Sequence, residues 1–257
     1  MAMAHIRLSN VSVEFPVYKL GDRRASGGGQ RKKFASGGQI FRGKASRVMV
    51  RALEDVNLEI AENERVGLLG LNGAGKTTLL RTVAGLRPAA RGVVDTQGGV
   101  QALFNIHAGL DGGRTGYENI FYMGMLRGLS KKQTEDIIPD IEEFTELGEY
   151  LNMPVSTYSQ GMQVRLGFAL VTAINPEILL LDEAIGTGDA VFIQKVRARF
   201  QKLMNTASIV LIASHSLDVL RSTCNRLLWL DRGRVKIDDT TDNVLKAYME
   251  ALLNPDA

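Results

Sequence analysis

Only one cysteine, Cys224, occurs in the 257 residues, so no disulfide can form within the chain and a reducing compartment fits. No apolar run approaches the ~18–20 residues that cross a bilayer, and residues 1–10 lack the build of a secretory signal. The expectation is a cytoplasmic chain whose membrane-spanning part, if it needs one, comes from a partner. No internal repeat and no sustained heptad is visible. Acidic residues are nearly absent from residues 17–51, where Asp22 stands alone against Lys19, Arg23, Arg24, Arg31, Lys32, Lys33, Arg42, Lys44, Arg47 and Arg51. That segment also carries Gly27-Gly28-Gly29 and Gly37-Gly38. It reads as an insertion of one of two kinds. Either it is solvated and disordered, with too few apolar groups to offset ordering entropy, or it is a basic surface for an anionic membrane or lipid phosphate, at about 1 kcal/mol per engaged residue. The two are compatible if ordering follows contact.

What is present is an ordinary core-forming composition, 45% hydrophobic with a mild net charge of +3, and a length that fits one large α/β domain. Residues 5–15 alternate as a strand through Ile6, Leu8, Val11, Val13 and Phe15, and residues 52–60 alternate again. Residues 105–163 turn helical. Helices are expected over 116–127 and after Ser130, where Ser130 and Gln133 fit a capping box and Ile137, Ile141, Phe144 and Leu147 share a face. Alternation of helix and strand then resumes. Helices are expected over 161–173, 191–204 and 244–252, buried strands over 177–182 and 208–213, and a hairpin around Arg232-Gly233.

The strongest chemical signal is Gly70-Leu71-Asn72-Gly73-Ala74-Gly75-Lys76-Thr77, followed by Thr78. It lies between an apolar strand, residues 65–69, and a helix beginning near Thr78, the context in which a phosphate loop has meaning. Glycines let successive N–H groups converge on an anion, and the helix adds its positive dipole end. Lys76 would reach the β- and γ-phosphates of ATP or GTP, and the Thr77 hydroxyl would hold Mg²⁺. Downstream, the apolar strand Ile178-Leu179-Leu180-Leu181 ends in Asp182-Glu183. Asp182 would hold Mg²⁺ through its water shell, and Glu183 would polarise the attacking water.

Between these lies Tyr158-Ser159-Gln160-Gly161-Met162-Gln163, which resembles the signature of ATP-binding-cassette (ABC) ATPases, commonly Leu-Ser-Gly-Gly-Gln. Ser159, Gly161 and Gln163 match; Tyr158 and Gln160 depart. The resemblance implies a P-loop ABC ATPase domain in the α/β class, with a parallel-sheet core, an N-terminal antiparallel β subdomain and a helical subdomain. It implies ATP and Mg²⁺ as cofactors, and a homodimer in which the start of the signature helix meets the γ-phosphate held by the other subunit. His215, after Ile212-Ala213-Ser214, takes the place of the switch histidine, and Asp189 matches the D-loop aspartate. Asn105 stands where a Q-loop glutamine is expected to serve Mg²⁺, with Gln101 as the other candidate. Val50 occupies the position of the aromatic that stacks on adenine, leaving Phe15 or Tyr18 to supply the ring, while core packing accounts equally well for Phe15.

Tyr-Ser-x-Gly-Met, the run Glu183-Ala184-Ile185-Gly186-Thr187-Gly188-Asp189 and Phe15-Pro16-Val17-Tyr18 resemble ATPase subunits of polysaccharide exporters. That implies an integral-membrane permease partner, a lipid-linked glycan as cargo and a place on the cytoplasmic face of the membrane. The C-terminal carbohydrate-binding domain of some members is expected to be absent. Two alternatives stay open: a transport ATPase for another cargo, such as a lipid or drug, and a soluble cassette ATPase acting on nucleic acid. The single cassette counts against the second, so no nucleic acid is expected.

Overall fold

The computed structural model describes residues 3–16, 39–42, 48–104, 109–182 and 190–253. The chain divides into two compact units. One is built from the described residues of Met1–Val100, Leu180–Glu183 and Ser208–Ala257, the other from those of Gln101–Leu179 and Ala184–Ala207.

The first unit begins with β1 (His5–Pro16), which buries Ile6, Leu8, Val11 and Val13 on its alternating face. It joins β2 (Gln39–Arg42), β3 (Val48–Ile60) and β5 (Arg91–Gln97) in a sheet of order β2-β3-β1-β5 with antiparallel pairing. β3 starts at Val48, inside the stretch expected to be an insertion up to residue 51, and β2 also falls within that stretch. Arg51 is therefore a strand residue. Its guanidinium donates to Glu14 at 3.0 and 3.1 Å and to Glu54 at 2.9 Å, so its charge is matched within the sheet.

A second sheet has the order β10-β9-β4-β8-β7-β6, formed by β4 (Arg65–Leu69), β6 (Val100–Leu103), β7 (Ile178–Asp182), β8 (Ile209–Ala213), β9 (Arg226–Asp231) and β10 (Arg234–Thr240). β4 runs parallel to both β8 and β9. Strands covered on both faces read as continuous apolar runs, as β8 does: all five of its residues are buried. β9 and β10 form an antiparallel hairpin across Arg232 and Gly233, both at positive φ (48° and 82°), the two-residue turn that matches strand twist. Helices α1 (Lys76–Val83), α6 (Leu217–Thr223) and α7 (Thr241–Leu253) belong to this unit, whereas residues 101–103 of β6 and 178–179 of β7 are counted with the other.

The second unit is helical: α2 (Gly116–Leu126), α3 (Lys131–Thr145), α4 (Gln160–Thr172) and α5 (Ala190–Thr206), with short 3-10 turns at Gly148–Asn152 and Val155–Thr157. Its core joins Ile120, Ile141, Phe144, Leu151, Leu166 and Phe168 with Phe192 of α5. Phe144 stacks on Phe168 at 5.5 Å and meets Phe192 edge-on at 5.4 Å. The helical core thus runs past residue 163, the limit expected from sequence, and takes in the rest of α4 and α5. No helix among the described residues is long and apolar enough to cross a membrane.

Candidate functional site

The carboxyl ends of β4, β7 and β8 meet at one cavity of about 320 Å³, all of it within the first unit. Ligands of open α/β sheets sit in this position. Its lining is Ala52, Asn72, Gly73, Ala74, Gly75, Lys76, Thr77, Thr78, Asp182 and His215. The fold therefore brings together the phosphate loop and, more than a hundred residues further along the chain, the acid that ends β7 and the histidine that follows β8.

The loop's form follows from Gly75. It is the N-cap of α1 at φ 113°, and a Cβ there would lie 2.9 Å from both the Ala52 carbonyl oxygen and Leu53 Cδ2. Only glycine satisfies both limits. A Ser or Asp cap would spend its oxygen on the first helical N–H groups. Gly75 has no side chain to do so, and the first turn of α1 presents its N–H groups and dipole end at the cavity. Lys76, 8% exposed, donates from Nζ to the carbonyls of Gly70 at 2.5 Å and Leu71 at 3.3 Å. A cation held so close to the loop is placed to exchange those carbonyls for phosphate oxygens. The Thr77 hydroxyl and the half-buried Asp182 carboxylate share the cavity, a donor set that fits Mg²⁺, which keeps water and phosphate oxygens and takes few protein ligands.

Sequence reasoning missed the support beneath this loop. Gly233, in the β9–β10 turn, donates its N–H to the Ala74 carbonyl at 2.9 Å and accepts from the Glu54 N–H at 2.9 Å. A Cβ at 233 would meet the Ala52 carbonyl oxygen at 2.5 Å. The turn signal Arg-Gly was legible; its contact with the phosphate loop was not.

The signature residues lie at the start of α4, in the second unit. Ser159 is its N-cap, and its Oγ accepts from the Met162 N–H at 3.3 Å. The Gln163 side-chain amide donates to the Tyr158 carbonyl at 3.4 Å. Gln160 and Gly161 are exposed, and a Cβ at 161 would meet only Ser159 Oγ, at 3.9 Å. Gln101 is half-buried in β6. Phe15 pairs across the sheet with Val50, and Arg87 covers one face of its ring at 4.5 Å; it is not among the described residues that line the cavity. Tyr18, Asn105, Glu183 and Asp189 lie outside the described residues.

Residues 53–186 match the sequence family described as ABC transporter. The chain belongs to the ABC transporter family. Over 233 residues it is 41% identical to the O-antigen export system ATP-binding protein RfbE of Yersinia enterocolitica, covering 91% of this chain and 97% of that relative. It is 38% identical over 209 residues to the teichoic acids export ATP-binding protein TagH of Bacillus cereus; that match covers 81% of this chain but only 38% of the relative's length. Among solved structures, an ATP-binding subunit of an ABC transporter superposes with a TM-score of 0.67 at 22% identity, covering 95% of this chain and 93% of that one. A dimeric ATP-binding cassette in a post-hydrolysis state, bound to ADP and Pi, superposes with a TM-score of 0.63 at 21% identity, covering 92% of this chain and 98% of that one. These superpositions establish the ABC fold. As an ABC transporter chain, the protein binds nucleotide and is an ATPase.

Proposed function

We propose that this chain is the ATP-hydrolysing subunit of an exporter that moves a lipid-linked polysaccharide across the cytoplasmic membrane, acting as a homodimer on an integral-membrane permease. The observation that carries this reading is the near end-to-end match to the O-antigen export relative. The shorter match to the teichoic acid relative points to the same class of cargo. The chain then sits at the cytoplasmic face of the membrane, held there by its permease.

On this reading each candidate residue has a part. Lys76 and the first turn of α1 bind the phosphates, while Thr77 and Asp182, together with Asn105 or Gln101, would hold Mg²⁺. Bound Mg²⁺ would neutralise charge on the β- and γ-phosphates. Glu183, next after Asp182, takes a proton from the attacking water, and His215 holds the γ-phosphate from the end of β8. Ser159, Gln160, Gly161 and Gln163 face the nucleotide of the other copy, and Asp189 is the D-loop aspartate. The surroundings of Gly161 support this. A glycine in a helix costs up to about 1 kcal/mol relative to alanine, and no described residue requires it there, since a Cβ would meet only Ser159 Oγ, at 3.9 Å. Phe15 or Tyr18 supplies the ring that stacks on adenine.

Glu183→Gln tests the reading. Hydrolysis should fall by roughly 10²–10⁴-fold, the share of a positioned general base, with ATP affinity retained and an ATP-dependent dimer trapped. Lys76→Ala should instead weaken ATP binding itself, because it removes a charge paired to phosphate. Near wild-type turnover in Glu183→Gln would remove Glu183 from its role. The cargo is tested separately, by loss of surface polysaccharide when the Glu183→Gln chain replaces the wild type in cells.

A further inference from the structure

Tyr158 directly precedes the N-cap of α4 and is 6% exposed. Its ring meets Tyr150 edge-on, with centroids 6.4 Å apart at 83°. Its hydroxyl donates to the Tyr150 carbonyl at 2.6 Å. The same hydroxyl lies against Gly116, the first residue of α2. Glycine at 116 is what admits it: a Cβ there would lie 2.6 Å from the hydroxyl and 2.8 Å from Leu151 Cδ2.

The contact closes a larger seam. The Val155 N–H donates to the Arg114 carbonyl and the Ser156 N–H to the Gly112 carbonyl, both at 2.9 Å, so residues 112–115 run along 154–156. Behind that strip lies Asn119, fully buried. Its side chain accepts from the Asp111 N–H at 2.8 Å and donates to the Asp111 and Thr115 carbonyls at 3.0 and 2.9 Å. Asp111 is in turn held below the usual carboxylate range by the Gly113 N–H and Arg114. One phenolic oxygen thus joins the start of α2, the turn at Tyr150 and the residue before Ser159. Leucine, common at the first signature position, would supply apolar bulk without that oxygen.

We propose that Tyr158 is a positioning residue for ATP hydrolysis: its buried hydroxyl fixes the start of α4 against the start of α2, and so sets the aim of Ser159 and the first turn of α4. This rests on the reading that the start of α4 meets the nucleotide held by the other copy. A signature helix tied through a single hydrogen-bonded atom holds its direction without filling the space into which a phosphate must come.

The test compares the full-length Tyr158→Phe and Ser159→Arg chains with wild type, using Mg-ATP and rates normalised to the folded fraction by circular dichroism. Tyr158→Phe should bind ATP as a single chain within about twofold of wild type. Its kcat should drop about five- to tenfold, the kinetic equivalent of one hydrogen bond, with KM little changed. Tyr158→Leu should lose at least as much. If Ser159→Arg abolishes turnover while Tyr158→Phe turns over at the wild-type rate, the positioning role fails and the reading of α4 stands. Wild-type turnover in Ser159→Arg would remove the reading of α4, and the role of Tyr158 with it. A fall in Tyr158→Phe that vanishes on normalisation to folded protein also overturns the proposal, since the hydroxyl would then serve stability alone.

Discussion

Cys224 illustrates how a buried side chain is kept inert. It lies at the end of α6 among apolar neighbours; the Leu227 and Cys224 side chains both crowd the space over Gly67 of β4. Burial pushes its thiol up to about 12, from an ordinary value of 9.0. The thiolate is the reactive form, so the native chain should resist iodoacetamide at pH 8 and take up one equivalent after denaturation, as intact-mass measurement would show. Quick labelling of the native protein would mean that α6 opens readily. The sign of the pH effect follows from the raised value: the folded state binds the thiol proton more tightly than the unfolded state does. This contribution to stability is complete below pH 9 and is lost as pH rises towards 12. Being the sole cysteine, Cys224 makes the readout unambiguous.

Among elements, α2 and α3 both begin with reciprocal capping boxes: Thr115 with Glu118, and Ser130 with Gln133. Ser130→Ala should cost about 1 kcal/mol and lower the melting temperature by a few degrees in calorimetry, leaving kcat unchanged. A larger loss would show that α3 carries more of the helical unit than its cap. The Ser130 box was readable because polar residues at the right spacing precede a clean apolar face. The Thr115 box was not legible, since no clean apolar face follows it in Gly116–Leu126. Asn119 proves to be a buried clasp for residues 111–115, a role visible only once the chain is folded. The phosphate loop, β7 and β8 were legible because each is local, an apolar run and then its chemistry. The start of β3 was hidden because Arg51 looked like one more charge in a basic run, while its partner Glu14 lies far back in sequence. α5 was found as a helix, yet its membership of the helical core depends on Phe192 meeting Phe144, which no local pattern encodes. α6 is seven residues long and gives too little periodicity to detect.

For the molecule as a whole, charge placement outweighs net charge. Arg51 is matched by Glu14 and Glu54, and Arg226 is clamped between Asp238 and Glu64, so much of the basic character of the described sheets is answered locally. Arg23, Arg24, Arg31, Lys32 and Lys33 lie outside the described residues, in a stretch whose only acid is Asp22. Replacing those five with Ser should leave basal ATPase within about twofold, because none is assigned to the cavity, while binding to anionic liposomes should weaken most at low salt. Unchanged binding would reduce the segment to a solvated linker. The Arg232-Gly233 turn carries a consequence for protein engineering. A tight surface hairpin is a natural place to splice a tag or a reporter domain. Here the turn's backbone is stitched to Ala74 on one side and to Glu54 on the other. A splice at that point would slacken the phosphate loop from behind, and a loss of nucleotide affinity after it would say nothing about the cargo the inserted reporter was built to follow.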